Sequence, residues 1–229
     1  MLKGRTLLIV SLCLSWAFFS GSLADAALSG EEILKGLAAR YKGLEGLTAS
    51  YKRTTSTNLA ADIFEAPEEP KVSGQLAWRK PANMRLDQKT PSIELLVTDG
   101  QTVWWYLPKD KLVHVYRRLN LAGEMAPLLA FLTNLDELKK SFRIKEFPVH
   151  PLRPGQQGLI LVPKAKETSF GQIIAWSDQE FKLTGFDLLM ATGETTHFYL
   201  SDLKEKPLDP AEFAFKAPKG VRTIEETPR

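Results

Sequence analysis

The stretch G-Q-L-A-W-R-K-P-A-N-M-R-L-D-Q (74–88), followed by I-E-L-L-V-T-D-G-Q-T-V-W-W-Y (93–106), reads as three β-rich runs divided by Pro and Asp-Gly turn signals. Val72, Leu76 and Trp78 alternate along the first run, and Lys80 keeps their parity. A cation in line with an apolar face is costly without a polar partner. The plainer reading is that Pro81 ends the strand and Lys80 snorkels out at the rim. Arg79, one position earlier, points the other way.

Outward from this stretch the chain continues strand after strand. Val72–Lys80, Met84–Gln88, Ile93–Thr98, Thr102–Leu107 and Lys111–Arg118 are predicted strands, and Asp99-Gly100 is a hairpin signal because Gly tolerates a positive φ. Leu47–Asn58 precedes them as a half-exposed strand. Phe142–Phe147, Leu159–Val162, Gly171–Ser177, Phe181–Met190 and Thr195–Leu200 follow. Two helical patterns interrupt the series. Ser29-Gly-Glu-Glu32 is a capping box ahead of Ile33, Leu34, Leu37, Tyr41 and Leu44. Residues 122–140 carry Leu128, Leu129, Leu132, Leu135 and Leu138 as an apolar stripe, with Pro127 suited to a first turn. The expected architecture is α+β, one large antiparallel sheet with helices on one face.

The N-terminus reads as a secretory address. Lys3 and Arg5 precede an apolar core, Leu7–Phe19, and Ala24-Asp25-Ala26 is a small-x-small cleavage site. Residues 1–26 are therefore expected to be removed, leaving 27–229 as one domain; the alternative is an uncleaved anchor. The single cysteine, Cys13, falls in the leader and lacks a lipid-attachment context, so the mature chain is expected to have no disulfide. The formal charge is +3; Lys3, Arg5 and Asp25 account for +1, leaving +2. That balance excludes a basic nucleic-acid footprint. No phosphate loop, nucleophile elbow or zinc spacing occurs, and His114, His150 and His197 are scattered. No enzyme activity, metal or cofactor is expected.

The apolar inventory is richer. Trp78, Met84, Leu86, Ile93, Leu95, Val97, Val103 and Trp105 recur at alternate positions and are read as one face. Pattern alone favours an ordinary core there. The sharper reading is a ligand cavity under helices that close loosely, since Gly123, Met125 and Pro127 suit a segment that moves.

G-x-L-x-W-x-K-P-x-x-M-R from Gly74 and V-T-D-G-Q-T-V-W-x-Y from Val97 resemble the periplasmic lipoprotein carrier family, LolA. Leu161-Val-Pro-Lys164 and Phe213-x-Phe215-x-x-Pro218-x-Gly220-Val221 resemble two further parts of its pattern. The resemblance implies an unclosed antiparallel β-barrel with an α-helical lid and a cavity for acyl chains. It implies acylated lipoproteins as cargo, an ATP-driven (ABC-type) inner-membrane exporter as donor and an outer-membrane acceptor, with the carrier a periplasmic monomer. The position before the strand-ending Pro is often Arg in the family, where it ties the barrel to lid carbonyls and is needed for release. Here it is Lys80, so Lys80, or Arg79 or Arg85 in its place, is the expected latch, with Met125, Leu128, Leu129 and Leu132 on the lid. Lys lacks the planar fork of Arg, so its latch is less directional. A carrier of another envelope lipid, or a lipid-sensing regulatory module on the same half-barrel, is the alternative.

Overall fold

A computed structural model describes residues 28–56, 71–117, 135–147, 153–164 and 170–226. Ser29 caps the first helix, α1 (Gly30–Arg40), as its sequence predicts. Ser29 Oγ accepts from the Glu32 amide at 3.3 Å, and the Glu32 carboxylate accepts from the Ser29 amide at 2.9 Å. Hydrogen bonds from Ser29 hold the Glu32 carboxyl below its ordinary value of 4.5. Ile33, Leu34 and Leu37 form the buried stripe. At the far end the Tyr41 hydroxyl accepts from the Leu183 amide at 2.8 Å. Gly36 lets the helix touch Phe181, whose ring a Cβ at that position would overlap.

Among the described residues twelve strands form one sheet. They are β1 (Gly46–Ser56), β2 (Val72–Arg79), β3 (Asn83–Thr90), β4 (Glu94–Thr98), β5 (Thr102–Leu107) and β6 (Leu112–Arg117). After α2 (Leu135–Ser141) come β7 (Phe142–Phe147), β8 (Gln157–Pro163), β9 (Phe170–Ser177), β10 (Leu183–Met190), β11 (Thr195–Glu205) and β12 (Arg222–Glu226). The order across the sheet is β12-β6-β5-β4-β3-β2-β1-β11-β10-β9-β8-β7, so β12 and β7 are free ends and the barrel is unclosed. Neighbours are antiparallel except at one end, where β12 lies parallel to β6. The C-terminal strand is absent from the sequence expectation, because R-T-I-E-E offers one apolar residue in five. Gly100 adopts φ +93 in the predicted hairpin, and Asp99 Oδ1 accepts from the amides of Gln101 and Thr102.

The inner face carries α1. One apolar cluster joins Ile33, Leu34 and Leu37 to Leu76, Trp78, Met84 and Leu86 on one side and to Leu159, Leu161 and Ile173 on the other. Strands β3 and β8 are six places apart in the sheet, about 29 Å if it were flat. Their sharing of one core with a single helix requires the sheet to curl around it. Leu138 of α2 joins the same cluster. Lys139 of α2 pairs with Glu31 of α1 at 2.7 Å.

The outer face has its own cover. Leu208 and Phe213 pack with Val97, and Phe215 stacks near Trp104 and Tyr106 at 6.2 and 5.8 Å. A 3-10 turn, Pro210–Phe213, capped by Asp209, shapes this strap. Arg85 Nη1 donates to the Glu212 carbonyl at 3.3 Å and holds it against β3.

Candidate functional site

The inner face divides into a filled part and a less filled part. α1 is seated on β7 and β8, and α2 on β7. The Gly30 amide donates to Glu146 Oε2 at 3.3 Å, and a Cβ at Gly30 would collide with the β7 backbone. Toward the β12 end, the inner side chains follow from the register: Leu96 lies opposite Leu86 and Trp105, and Trp105 lies opposite His114. Leu96, Trp105, Leu112, His114, Tyr116 and Ile224 are only half-buried there. This is an amphipathic wall. The Trp105 ring is 5.5 Å from His114, and His114 is 6.5 Å from Tyr116. Trp105 Nε1 donates to Glu94 Oε2 at 3.1 Å, and His114 Nδ1 lies 2.7 Å from Glu226 Oε1.

The predicted wall residues fall in three places. Trp78, Met84, Leu86, Val103 and Trp105 face inward, as the alternation predicts. Trp78, Met84 and Leu86 belong to the core shared with α1, however, and Val103 is also buried. Leu95 and Val97 face outward, a correction. Met84 pairs with Thr98 and Leu86 with Leu96, which puts Arg85, Leu95 and Val97 on the opposite side, under the C-terminal strap. Ile93 is also corrected: it precedes β4 and is 69% exposed. The run I-E-L-L-V hides its own parity because the strand is covered on both faces.

The cationic candidates also separate. Lys80 lies outside β2 in the turn and is exposed; its amide donates to the Glu45 carbonyl at 3.0 Å. Arg79 is on the outer parity and donates to the Lys80 carbonyl at 3.4 Å. Arg85 also faces outward, paired with Asp87 at 2.7 Å. Neither Arg79 nor Arg85 reaches the inner face, so as lid latches both are corrected. Met125, Leu128, Leu129 and Leu132 lie outside the described residues, as do the leader and His150.

Arg53, on β1, does face inward. It pairs with Val72 and Phe198 across β1, on the parity of Leu47, Ala49 and Tyr51. Its guanidinium lies 5.9 Å from the Phe198 ring centre, and its Nε is buried without a hydrogen-bond partner. The same alternation that singled out Lys80 finds it.

On the outer face, sequence gives no sign of a second polar cluster. Asp187 accepts from Arg153 Nη2 at 2.9 Å and from Trp176 Nε1 at 2.5 Å, and lies 2.9 Å from His197 Nδ1. Gly185 leaves the space across which Arg153 lies between the Trp176 and Tyr199 rings, at 4.8 and 4.7 Å. This buried set braces β9–β11 from outside. Among the described residues no group of three or more His, Cys, Asp or Glu is placed to hold a metal.

Residues 44–216 match the family model described as outer membrane lipoprotein carrier protein LolA. The chain belongs to that family. An outer-membrane lipoprotein carrier protein of Azotobacter vinelandii is 28% identical over 216 residues, covering 94% of this chain and 97% of the relative. One of Cupriavidus pinatubonensis is 27% identical over 231 residues, covering 97% and 100%. Among solved structures, a LolA superfamily protein from Nitrosomonas europaea aligns with TM-score 0.45 and 12% identity, over 82% of this chain and 99% of that one. In this LolA-family chain no helix among the described residues is long and apolar enough to cross a membrane.

Proposed function

We propose that the chain is a non-enzymatic, monomeric periplasmic carrier that shields the acyl chains of lipoproteins between an ATP-driven inner-membrane exporter and an outer-membrane acceptor. The observation that carries this reading is the half-buried wall of Leu96, Trp105, Leu112 and Tyr116, continuous with a fully packed core. Each methylene moved from water onto such a wall is worth about 0.8 kcal/mol, so a few turns of chain contact hold cargo firmly. The helix-filled part supplies stability, and the β3–β6 part supplies the holding surface. Family membership supports lipoproteins as the cargo class. Lys80, exposed at the rim beside fully buried Trp78, is the release residue in this reading; the lid is the segment of Met125, Leu128, Leu129 and Leu132, and the leader 1–26 is cleaved.

The test is loading. Purified chain mixed with a detergent-solubilised triacylated lipoprotein, then stripped of detergent, is expected to elute as a soluble 1:1 complex. Aggregation of the lipoprotein with the chain eluting alone would overturn the reading.

A further inference from the structure

Arg53 stands out because, among the described residues, the inward positions on the strands beside it offer no counter-ion. The inward positions of β1, β2, β10 and β11 in the described residues are Leu47, Ala49, Tyr51 and Thr55, then Val72 to Trp78, Phe186 to Met190, and Thr196 to Leu200 by alternation. None of these is acidic. Burial pushes the hydroxyl of Tyr51, next along β1, above its ordinary value; the Arg53 charge lowers it and the Glu94 and Asp87 charges raise it. Neither carboxylate serves Arg53: Glu94 is held by Ser92 Oγ at 2.8 Å and by Trp105 Nε1, and Asp87 by Arg85.

A guanidinium presents five N–H donors in a rigid fork and no acceptor. A buried donor left unpaired in a native fold calls for a reason, because pairing is the rule. The Phe198 ring, with its centre 5.9 Å from the Arg53 guanidinium carbon, gives the N–H groups no acceptor. In an acyl-binding trough the matching acceptors are the oxygens at the head of a fatty chain.

We propose that Arg53 is a cargo-binding residue that receives an ester carbonyl or carboxylate oxygen at the head of the bound acyl chains. It fixes how deep the chains enter, while the apolar wall holds their length. The inference rests on the carrier reading above and adds a polar anchor to it. The ligand class is therefore acyl, with an oxygen acceptor, and not simply alkyl.

The experiment compares a diacylglyceryl lipopeptide with its dialkyl ether analogue, which keeps the chains and lacks the carbonyls. Each displaces a neutral apolar fluorescent probe from the purified native chain. The ester form is expected to compete at least 10-fold better. In Arg53→Met the two forms should compete within about 2-fold of each other, and Arg53→Lys should fall between. Palmitate against hexadecanol, run in the same way, separates a free carboxylate from an ester as the preferred acceptor; a preference in either pair supports the assignment. Equal competition within both pairs on the native chain overturns the anchor while leaving the carrier reading intact. Failure of every chain to displace the probe overturns both. The comparison on the native chain does not depend on any variant folding, and Glu180→Gln, at the exposed β9–β10 turn, serves as a remote charge control.

Discussion

Leu37→Ala is the perturbation that best separates the filled part of the inner face from the proposed holding surface. Leu37 is fully buried on α1, within the cluster that joins β1–β3 to β8–β11. Removing its terminal carbons forfeits about 2.4 kcal/mol of transfer free energy, at roughly 0.8 kcal/mol per carbon. A cavity adds to that, because α1 cannot settle inward. Gly30 is seated against β7, Gly36 against Phe181 and Tyr41 against the Leu183 amide. A total near 3 kcal/mol, within the range of about 2.7–5 for buried Leu→Ala, follows. For a domain of this size that corresponds to a fall of roughly 6–12 °C in Tm. Urea unfolding followed by tryptophan fluorescence measures it. Affinity for an apolar probe should stay within about 2-fold, since β4–β6 are untouched. A loss below about 1 kcal/mol would refute the seating of α1, and a tenfold loss of probe affinity would refute the division of the face.

Phe213→Ala should cost about 3–5 kcal/mol by uncovering Val97 on the outer face, again with probe affinity nearly unchanged; a parallel loss of binding would place the holding surface outside. Lys80→Leu should load lipoprotein normally and transfer it to an acceptor at least tenfold more slowly, and normal transfer would remove Lys80 from release. Glu32 and Glu146 are both held below the ordinary 4.5, Glu32 by the Ser29 hydrogen bonds and Glu146 by backbone amides including Gly30. Their folded-state values are depressed, so what they contribute is present above pH 4.5 and lost as pH falls through the lower folded values. Amide exchange at Gly30 and Glu32, corrected for intrinsic rate, should therefore accelerate on acidification below 4.5 before that of the central strands. Uniform protection down to global unfolding would contradict this.

Much of the sheet was legible because its strands alternate and its turns carry Gly, Pro and Asp at the needed positions. The Ser29 capping box and the Asp99-Gly100 hairpin appear where their side chains require them. The candidate site was less legible, for a physical reason. β4 is buried on one side by the inner face and on the other by the strap, so I-E-L-L-V is apolar at three successive positions and alternation cannot choose between Leu95 and Leu96. Lys80 drew notice for its parity, but Pro81 ends the strand and carries it to the rim. Arg53 had the same parity signal on a strand that does continue. The Asp187 cluster was invisible because Arg153, Trp176, Asp187 and His197 meet only through two strand pairings and a loop.

Adjacent residues on one strand point to opposite faces, which makes photo-crosslinking the most direct measurement of where cargo sits. A photoreactive side chain at position 96 or 105 faces the inner wall; one at position 95 or 104 faces the strap. With an acylated lipoprotein as cargo, adducts are predicted at 96 and 105 and not at 95 and 104. Equal yields at all four positions, or adducts confined to 95 and 104, would contradict an inner-face carrier.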